Sequence, residues 1–354
     1  MRQVIQPYER KWWVRPHFPV ISVLLPVRNA AACVGEAIRS IVSQTFSQFE
    51  LLVVENGSTD GTREVLQDWA RRDARIRLTC LPGPGLVRAL NHGLSMARGS
   101  FIARMDADDA SHPERLALQL RHLERRRETG LVSCLVRHAG DPAAQAGYAS
   151  YVEWVNSLLT HEEISLHRFV ESPIVHPSVL FRRELAERFG AWRDGPFPED
   201  YELWLRWLEA GVRMEKLGEE LLDWSDPPDR LSRTDDRYSR RAFSDCKAAY
   251  LRSWLDQAPV AGRALLFWGA GRETRRRLRK LQELGVRAAG WVDVDPRKWG
   301  KRIGGLPVYS PAQLPPREEC FVISAVSSRG ARDEIAQDLE SRGFAAGTDY
   351  VLAG

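Results

Sequence analysis

Short apolar runs alternate with segments of helical spacing over the first third of the chain. The apolar runs are rich in β-branched residues, as buried strands are, and lie at 20–25, 51–54, 76–81 and 101–105. The segments between them place apolar residues on one helical face and lie at 34–44, from 62 onward, and at 86–98. Strands that recur with a helix between each pair form βαβ units, so this pattern predicts a parallel sheet.

The rest of the chain predicts a second, smaller unit of the same kind. Residues 113–254 have mostly helical spacing, and a strand–turn–helix pattern begins at Ala264, with a further strand at 289–293. We therefore expect an α/β protein. Its parts are an N-terminal arm, a Rossmann-like domain with a mostly parallel sheet, a linker and a smaller Rossmann-like domain, at 1–18, 19–254, 255–262 and 263–354.

The composition fits a protein with a buried core and argues against several other classes. Of the 354 residues, 44% are hydrophobic and 28% are charged, which is not the balance of a disordered chain. No apolar run approaches the roughly 20 residues of a membrane-spanning helix, and the first 18 residues contain no apolar stretch typical of a secretory signal. The five cysteines are scattered, which argues against a zinc module or a disulfide framework. We expect a cytoplasmic protein without a transmembrane segment.

The excess of positive charge lies in the last quarter of the chain. Residues 259–354 hold 16 Lys and Arg against 11 Asp and Glu, in a chain whose net charge is +4. Six basic residues crowd one predicted helix: Arg272, Arg275, Arg276, Arg277, Arg279 and Lys280. This segment is either a solvated helix face or a surface for an anionic partner such as nucleic acid, phosphate or a lipid headgroup.

Three carboxylates follow the fourth predicted strand, in the sequence Met105-Asp-Ala-Asp-Asp109. Carboxylates at a buried strand end are unfavourable unless a cation compensates their charge. Asp106 and Asp108 together offer the hard oxygen ligands that bind Mg²⁺ or Mn²⁺, which can bridge a substrate diphosphate. The alternative is structural, with Asp109 or Ser111 in a turn or helix cap.

Two further groups of polar residues lie where a ligand could meet them. Glu55 and Asn56 end the second predicted strand, and ligands bind at the carboxyl ends of parallel strands. They can hydrogen-bond a base or a ribose, although the Gly/Ser/Thr-rich segment after them also suits a tight turn. Glu199 and Asp200 open an amphipathic helix, where two acids either complement the helix dipole or supply a general base.

From about residue 20 to residue 232, the chain resembles the family 2 glycosyltransferases of the GT-A fold. The resemblance rests on four motifs in order: ISVLLPVRN at 21–29, ENGSTDG at 55–61, MDADD at 105–109 and PED at 198–200. It implies a nucleotide-diphosphate sugar donor, which we expect to be a UDP-sugar, a divalent metal (Mn²⁺ or Mg²⁺), and inversion at the anomeric carbon.

The same resemblance assigns roles by position. The residues that it places at the donor are Pro26, Arg28, Glu55 and Asp106, with Glu55 standing where the family usually has Asp. It places the metal at Asp108 and Asp106 and makes Asp200 the catalytic base. We further expect acceptor or diphosphate contacts at His176, Glu199 and Trp204.

Two features depart from the family pattern. Many members complete the metal site with a histidine in a Trp-x-x-His-Pro context, but Pro227 stands at that position, so we expect Asp226 or water to fill it. Processive members carry a Gln-x-x-Arg-Trp motif and membrane helices. Here the pair Arg206-Trp207 comes too soon after the predicted base and lacks the Gln, which favours addition of a single sugar.

The C-terminal unit contains a degraded dinucleotide fingerprint. Gly269 and Gly271 follow a predicted strand, Thr274 takes the place of the third glycine, and Asp293 ends a strand about 20 residues later. This pattern indicates either a second nucleotide site at Gly269, Gly271 and Asp293 or a Rossmann-like module without a cofactor, used for acceptor binding or dimerisation. We do not expect an NAD-type dinucleotide.

The sequence thus predicts an inverting, metal-dependent, non-processive glycosyltransferase with a UDP-sugar donor. The expected acceptor is a saccharide or a lipid-linked saccharide, the latter with peripheral contact to a membrane. One alternative acceptor is a modified tRNA nucleoside, because the two-domain layout also resembles the queuosine-tRNA galactosyltransferases and a basic tail suits tRNA. Another alternative is a catalytically silent regulator that binds a nucleotide sugar or NAD. The sequence predicts neither the sugar nor the oligomeric state.

Overall fold

The computed structural model describes residues 18–140, 145–227, 230–258, 260 and 262–354. The predicted N-terminal arm, apart from Phe18, lies outside the described residues. The strands of the first sheet are β1 (Ile21–Val27), β2 (Phe49–Asn56), β3 (Ile76–Leu81), β4 (Phe101–Arg104), β5 (Ala110–Ser111), β6 (Thr129–His138), β7 (Leu180–Arg182) and β8 (Arg213–Trp224). The strands that follow are β9 (Ala264–Trp268), β10 (Gly290–Val292), β11 (Arg302–Ile303), β12 (Leu306–Tyr309), β13 (Cys320–Ser324) and β14 (Tyr350–Leu352).

The α-helices cover both faces of the two sheets. Those up to the end of β8 are α1 (Val34–Val42), α2 (Thr62–Arg72), α3 (Leu86–Met96), α4 (Arg115–Arg125), α5 (Ala146–Asn156), α6 (His161–His167), α7 (Arg183–Phe189) and α8 (Glu199–Glu209). The later ones are α9 (Leu231–Thr234), α10 (Arg240–Gln257), α11 (Arg272–Glu283) and α12 (Arg329–Ser341).

The first sheet has the strand order β3-β2-β1-β4-β7-β6-β8-β5. Its first four strands are parallel, as predicted, and the register pairs Val27 with Glu55 and Leu24 with Arg104. The carboxyl ends of β1, β2 and β4 therefore meet at one edge of the sheet. β7 then runs antiparallel to both β4 and β6. The result is a mixed α/β fold in which the polar strand ends singled out above share an edge.

The middle of the chain contains more strand than its spacing predicts. The prediction of a mostly helical segment at 113–254 is wrong for β6 and β8, which are 10 and 12 residues long. β6 is buried over most of its length, and periodicity does not distinguish a strand buried on both faces from a buried helix. β8 has exposed charged residues in its centre, where its register against β6 shifts, and this irregularity obscures the alternation expected of a strand.

The core of the first sheet lies on both of its faces. Val23 and Leu25 of β1 pack into one cluster, whereas Leu24 packs into the other, as the two-residue period of a strand requires. The second cluster also contains Trp204 and Trp207 of α8. Helix α8 is thus anchored beneath the sheet, which holds the start of the helix in a defined position.

The second sheet has the order β11-β12-β10-β9-β13-β14, and its strands are parallel except for β11. This arrangement confirms a second Rossmann-like sheet. The predicted linker begins too early, because α10 continues to Gln257. The hydrophobic face of α10 continues through Leu251 and Leu255, both buried, so the helix extends past the residue at which a linker was expected. The other domain limits stay a prediction.

Helix α10 joins the two halves of the molecule. Its buried Lys247 donates hydrogen bonds from Nζ to the carbonyl oxygens of Phe169 (2.8 Å), Val170 (2.9 Å) and Ala353 (3.2 Å). Burial lowers the pKa of Lys247 to about 8. One hydrophobic cluster combines Phe169 of the first half with residues of the second sheet such as Phe321. In the part of the chain that the structure describes, no helix is both long and apolar enough to cross a membrane.

Candidate active site

The structure brings the three carboxylates after β4 together. The carboxylate oxygens of Asp106, Asp108 and Asp109 lie within 4.8 Å of one another. Asp106 and Asp108 are half-buried, whereas Asp109 is buried and accepts a hydrogen bond of 2.9 Å from the backbone N–H of Ser225. Asp109 thus ties this turn to the end of β8, which leaves Asp106 and Asp108 as the two carboxylates that face outward.

Two arginines, the buried Arg104 and the half-buried Arg230, compensate part of this negative charge. Arg104, at the end of β4, pairs with Asp106. Arg230 donates hydrogen bonds to the hydroxyl of Tyr148 and to the carbonyl oxygen of Ser225, and its guanidinium lies 4.5 Å from the ring centroid of Trp224. Although burial opposes its charge, Tyr148 and the three carboxylates raise the pKa of Arg230. Arg230 therefore remains cationic beside the cluster.

The electrostatics of the cluster favour a bound cation. Burial, followed by the charge of Asp106, raises the pKa of Asp108 to about 6, while Arg230 and Arg104 act in the opposite direction. Burial and its two neighbours also raise the pKa of Asp109, whose Oδ2 is buried without a hydrogen-bond partner among the described residues. Closely spaced oxygen ligands with uncompensated charge fit Mg²⁺ or Mn²⁺.

The expectation that Asp226 fills the place of the missing histidine has no support in this arrangement. Asp226 is buried and is not part of the group of closely spaced carboxylates. Its carboxylate accepts hydrogen bonds from Arg233, with 3.0 Å between Nε and Oδ1. Its own position is fixed by this pair. Three residues after Pro227, Arg230 brings a cation to the cluster instead.

A second acidic group lies at the start of α8. The Oδ1 atom of Asp200 accepts a hydrogen bond of 2.7 Å from the N–H of Tyr201. Burial, followed by the charge of Glu199, raises the pKa of Asp200 to about 7, and Arg104 lowers it. The neighbouring Glu199 is buried, and Tyr238 donates to its Oε2 at 2.6 Å. Burial raises the pKa of Glu199 as well, against the effects of Tyr238 and Arg104.

His176 lies between these two acidic groups and is neutral. Its Nε2 accepts a hydrogen bond of 3.0 Å from Nε1 of Trp192, so the ring proton is on Nδ1, which lies 4.0 Å from Oε1 of Glu199. Burial lowers the pKa of His176 well below its usual value, and the charges of Arg104 and Arg230 add to this effect. His176 is therefore neutral and presents no charge to a ligand.

Arg104 is common to both acidic groups. Its charge lowers the pKa of Asp108 on one side and of Glu199 and Asp200 on the other. Its Nε is buried without a hydrogen-bond partner among the described residues. The charge of one guanidinium thus acts on both the candidate metal ligands and the candidate base.

The predicted donor pocket lies at the ends of β1 and β2. Pro26 is buried in β1, and Arg28 after it is exposed. Glu55 is fully buried and accepts hydrogen bonds from the N–H of Ser58 (2.5 Å) and from Nη2 of Arg63 (2.8 Å). Burial acts to raise the pKa of Glu55, but these two donors outweigh it, so the pKa is lowered. Glu55 is thus an ionised, fixed acceptor.

Trp204 does not lie where an acceptor could touch it. Its side chain is fully buried, and its ring packs edge-on against His176 and Trp207. Position 204 falls on the face of α8 that packs under the sheet, because Leu203 and Trp207 are also buried there. The expected acceptor contact at Trp204 therefore has no support. Instead, the buried indole packs against His176 and Trp207.

The glycine turn of the second sheet is held by its own protein groups. Asp293 accepts hydrogen bonds from the N–H of Ala270 (2.7 Å) and the N–H of Asp295 (2.9 Å), and it pairs with Lys298 at 2.9 Å. Gly269 has a positive φ of 96°, whereas Gly271 begins α11 with open space around it. These contacts give Asp293 a structural role in the turn, and a second nucleotide site stays a prediction.

Several residues of the site could not be singled out from the sequence. Arg104, Arg230 and Tyr238 lie outside the motifs, and their partners are close in space rather than in sequence: Tyr238 is 39 positions from Glu199. Arg104 offered a signal, since a charged residue ends an otherwise apolar strand. The sequence offered no such signal for Arg230 or Tyr238.

The comparisons with known proteins agree with this geometry. The family model described as "Glycosyl transferase family 2" matches residues 22–190. The chain is 27% identical over 246 residues to the O-antigen biosynthesis glycosyltransferase WbnJ of Escherichia coli, which covers 68% of this chain and 91% of that protein. It is 26% identical over 236 residues to the UDP-Gal:alpha-D-GlcNAc-diphosphoundecaprenol beta-1,3-galactosyltransferase of Escherichia coli, which covers 66% and 82%.

Among solved structures, the chain is similar to S. aureus TarS 1-349 in complex with UDP-GlcNAc. The TM-score is 0.54 at 16% identity, and the match covers 67% of this chain and 66% of that chain. At this identity the likeness concerns the fold, which agrees with the mixed sheet described above. The family model and the curated relatives show that residues 22–190 form a glycosyl transferase family 2 domain and that the protein is a glycosyltransferase.

Proposed function

We propose that this protein transfers one sugar from a nucleotide-diphosphate donor, a UDP-sugar, to an acceptor hydroxyl with inversion at the anomeric carbon. The observation that carries the proposal is that Arg104, which pairs with Asp106, acts electrostatically on both Asp108 and Asp200. Asp108 belongs to the carboxylate pair that could hold a metal at the donor's diphosphate, and Asp200 is the carboxylate that could take the acceptor's proton. The positive charge of Arg104 acts on both.

The proposed donor residues lie at the carboxyl ends of β1 and β2. Glu55 is an ionised acceptor, fixed by Ser58 and Arg63, at the edge where ligands bind in parallel sheets. With Pro26 and Arg28 it would line the pocket for base and ribose, and Asp106 would meet the ribose or the metal. The names of two similar proteins support a UDP-sugar: one is described with UDP-GlcNAc and the other with UDP-Gal.

Asp106 and Asp108 would hold a divalent cation, Mn²⁺ or Mg²⁺. Their spacing and their uncompensated charge fit such an ion. When bound, the ion stabilises the negative charge that develops on the leaving diphosphate. The chain's own contribution is to fix the carboxylates: Arg104 holds Asp106, and Asp109 anchors the turn to Ser225.

Asp200 would act as the general base. As the acceptor oxygen attacks the anomeric carbon and the bond from that carbon to the diphosphate oxygen breaks, Asp200 takes the acceptor's proton. A pKa of about 7 suits this task, because a base works best near the pH of the reaction. Attack from the face opposite the leaving group inverts the configuration, and one carboxylate suffices because the leaving diphosphate needs no proton.

The acceptor would be a saccharide or a lipid-linked saccharide. The relative named after a diphosphoundecaprenol-linked substrate supports this choice. Addition of a single sugar follows from the resemblance already stated, and action in the cytoplasm, with peripheral contact to a membrane, belongs to the same proposal. The described residues offer no support for a tRNA nucleoside at the site itself.

The test is a transfer assay with a panel of UDP-sugars and a saccharide acceptor in the presence of Mn²⁺. We expect release of UDP from one of the donors and a β- or α-linked product with inverted configuration, read by NMR of the anomeric proton. Asp200→Asn should lower the rate by about 10²-fold or more. Retention of configuration, or an unchanged rate in Asp200→Asn, would contradict the assignment of the base.

A further inference from the structure

A cavity of about 430 Å³ lies between the start of α10 and α11 and is lined mainly by arginines. They come from both helices: Arg240, Arg241, Arg276, Arg277 and Arg279. We call this cavity the arginine pocket. Among its lining residues, the acidic ones are Asp245 and Glu273, so its walls carry an excess of positive charge.

Two of these arginines form no ion pair within the part of the chain that the structure describes. Arg241 pairs with Asp245 at 3.4 Å and Arg276 with Glu273 at 3.9 Å. Arg279 pairs with Glu283 at 3.5 Å. By contrast, the side chains of Arg240 and Arg277 make no hydrogen bond and no ion pair with any residue that the structure describes.

Arg277 is also half-buried. Burial lowers its pKa, Glu171 acts in the opposite direction, and the charge of Arg240 lowers it again. Two guanidinium groups that repel each other, one of them partly withdrawn from water, form an arrangement that an anion stabilises. The first turn of α10, capped by Ser239, adds the positive end of an 18-residue helix.

The arginine pocket is close to the start of α8. It shares Ser239, Arg241 and Asp245 with an adjoining cavity of about 950 Å³. That cavity is lined by Phe197, which precedes α8, and by Glu202, which lies in the first turn of α8. Asp200 lies in the same turn. The segment before α10 also reaches the site directly, since Tyr238 donates its hydrogen bond to Glu199.

We propose that the arginine pocket binds a phosphate or diphosphate group that belongs to the acceptor. The inference rests on the proposed function, and it specifies the acceptor as a phosphate-linked saccharide, with the sugar directed through the larger cavity toward α8. A single- or double-phosphate group suits a concave pocket with two unpaired guanidinium groups. The pocket is lined by no aromatic side chain on which a base could stack, so we assign it to a phosphate group and leave an RNA partner as an outcome of the test.

The test is calorimetric titration with inorganic pyrophosphate, in the presence of EDTA so that the cluster after β4 cannot bind it through a metal. The comparison is between wild type, the double variant Arg240→Gln/Arg277→Gln, and Arg275→Gln as a matched control. Arg275 is exposed on the same helix but does not line the pocket. We expect the double variant to bind pyrophosphate at least about tenfold more weakly than wild type, and Arg275→Gln to bind within about twofold.

Three results would overturn the inference. The first is that wild type does not bind pyrophosphate, and the second is that the double variant binds it as tightly as wild type does. The third is salt-sensitive binding of bulk tRNA that Arg275→Gln weakens as much as the double variant does, since it would indicate an extended nucleic-acid surface. Melting temperatures, with far-ultraviolet circular dichroism, check that all three proteins are folded.

A transfer assay separates this inference from the proposed function. With a diphosphate-linked saccharide as acceptor, the double variant should show a KM for the acceptor raised about tenfold or more, with the KM for the UDP-sugar unchanged. Failure of wild type to use any UDP-sugar would remove the proposed function and leave the pyrophosphate result standing. Equal acceptor KM values in wild type and double variant would contradict the assignment of the pocket to the acceptor.

Discussion

The hydroxyl of Tyr238 lies 2.6 Å from Oε2 of Glu199, the carboxylate that precedes Asp200. This hydrogen bond favours the ionised form of Glu199 against the effect of burial. The charge of Glu199 in turn raises the pKa of Asp200. A residue just before α10 thereby sets the proton affinity of the candidate base.

Tyr238→Phe should therefore shift the pH dependence of the reaction. Without the hydroxyl, the pKa of Glu199 rises further, so a smaller fraction of Glu199 is ionised and its repulsion of the Asp200 carboxylate weakens. The pKa of Asp200 should then fall, so the acidic limb of kcat/KM moves to lower pH. Tyr250→Phe is the matched control, because Tyr250 donates to Glu202, one turn further along α8. An equal shift in both variants, or a shift to higher pH, would contradict this account.

In the unmodified protein, activity should fall below about pH 7. Burial and Glu199 raise the pKa of Asp200 to about 7, and a general base must be unprotonated to accept the proton. Below this pKa the ionised fraction falls about tenfold per pH unit, so log(kcat/KM) should approach a slope of one. The measurement is the pH profile of kcat/KM for the donor at saturating Mn²⁺. A profile that stays flat down to pH 5 would assign the base to another group.

Asp108→Asn should raise the stability of the metal-free protein at pH 8. The substitution removes a half-buried carboxylate whose ionisation is opposed by burial and by Asp106, so the repulsion within the cluster decreases. The gain should be about 1 kcal/mol in the free energy of unfolding, measured in urea with EDTA. The gain should decrease as the pH falls through about 6, and it should disappear only below the ordinary pKa of 3.8, where Asp108 is protonated in the unfolded chain as well. A loss of stability at pH 8 would show that repulsion between the carboxylates does not destabilise the metal-free protein.

Arg230→Gln should have the opposite effect on the metal-free protein. Arg230 is packed on Trp224 and faces three carboxylates, which lose part of their compensation when it is removed. We expect a loss of about 3 kcal/mol in the free energy of unfolding. Added Mn²⁺ should stabilise this variant more than it stabilises the wild type. Arg252→Gln, which removes an exposed pair with Asp256, is the control and should cost less than about 1 kcal/mol. Equal responses of the two variants to Mn²⁺ would separate Arg230 from the cluster.

Gly269→Ala should destabilise the second sheet, whereas Gly271→Ala should not. An added Cβ at Gly269 would lie 2.7 Å from Cγ2 of Val326, in a backbone with φ of 96°, while at Gly271 it meets nothing within 4 Å. The expected loss for Gly269→Ala is about 1–3 kcal/mol, and Gly271→Ala should stay within about 0.5 kcal/mol of wild type. Both are measured by urea unfolding. A similar loss in both would indicate that the turn as a whole, rather than the position of Gly269, is sensitive.

Local patterns predicted the parts of the fold that depend on neighbouring residues. The alternation of strand and helix up to β4 is confirmed, with β3 at the predicted residues 76–81. A buried parallel strand such as β1 is a nearly continuous apolar run, which makes it recognisable in the sequence. The grouping of Asp106 with Asp108 also follows from spacing along the chain. β6 and β8 were missed because a strand buried on both faces, or one with a shifted register, loses its two-residue period.

The contacts between distant segments could not be predicted. Asp226 was a candidate for the cluster by its position next to Pro227, but its pair with Arg233 depends on how α9 packs. Trp204 was a candidate acceptor contact, and only the packing of α8 under the sheet shows that it is buried. The unpaired Arg240 and Arg277 likewise come together only through the packing of α10 on α11.

The central claim, a donor site that depends on Asp108, is tested most directly by thermal unfolding with UDP-sugars and Mn²⁺. A ligand that binds only the folded protein raises the melting temperature by mass action. The account predicts that at least one UDP-sugar with Mn²⁺ stabilises wild type and Asp200→Asn alike, since Asp200 serves the acceptor, and that Asp108→Ala loses this response. No response of wild type to any nucleotide sugar, or an equal response in Asp108→Ala, would contradict it.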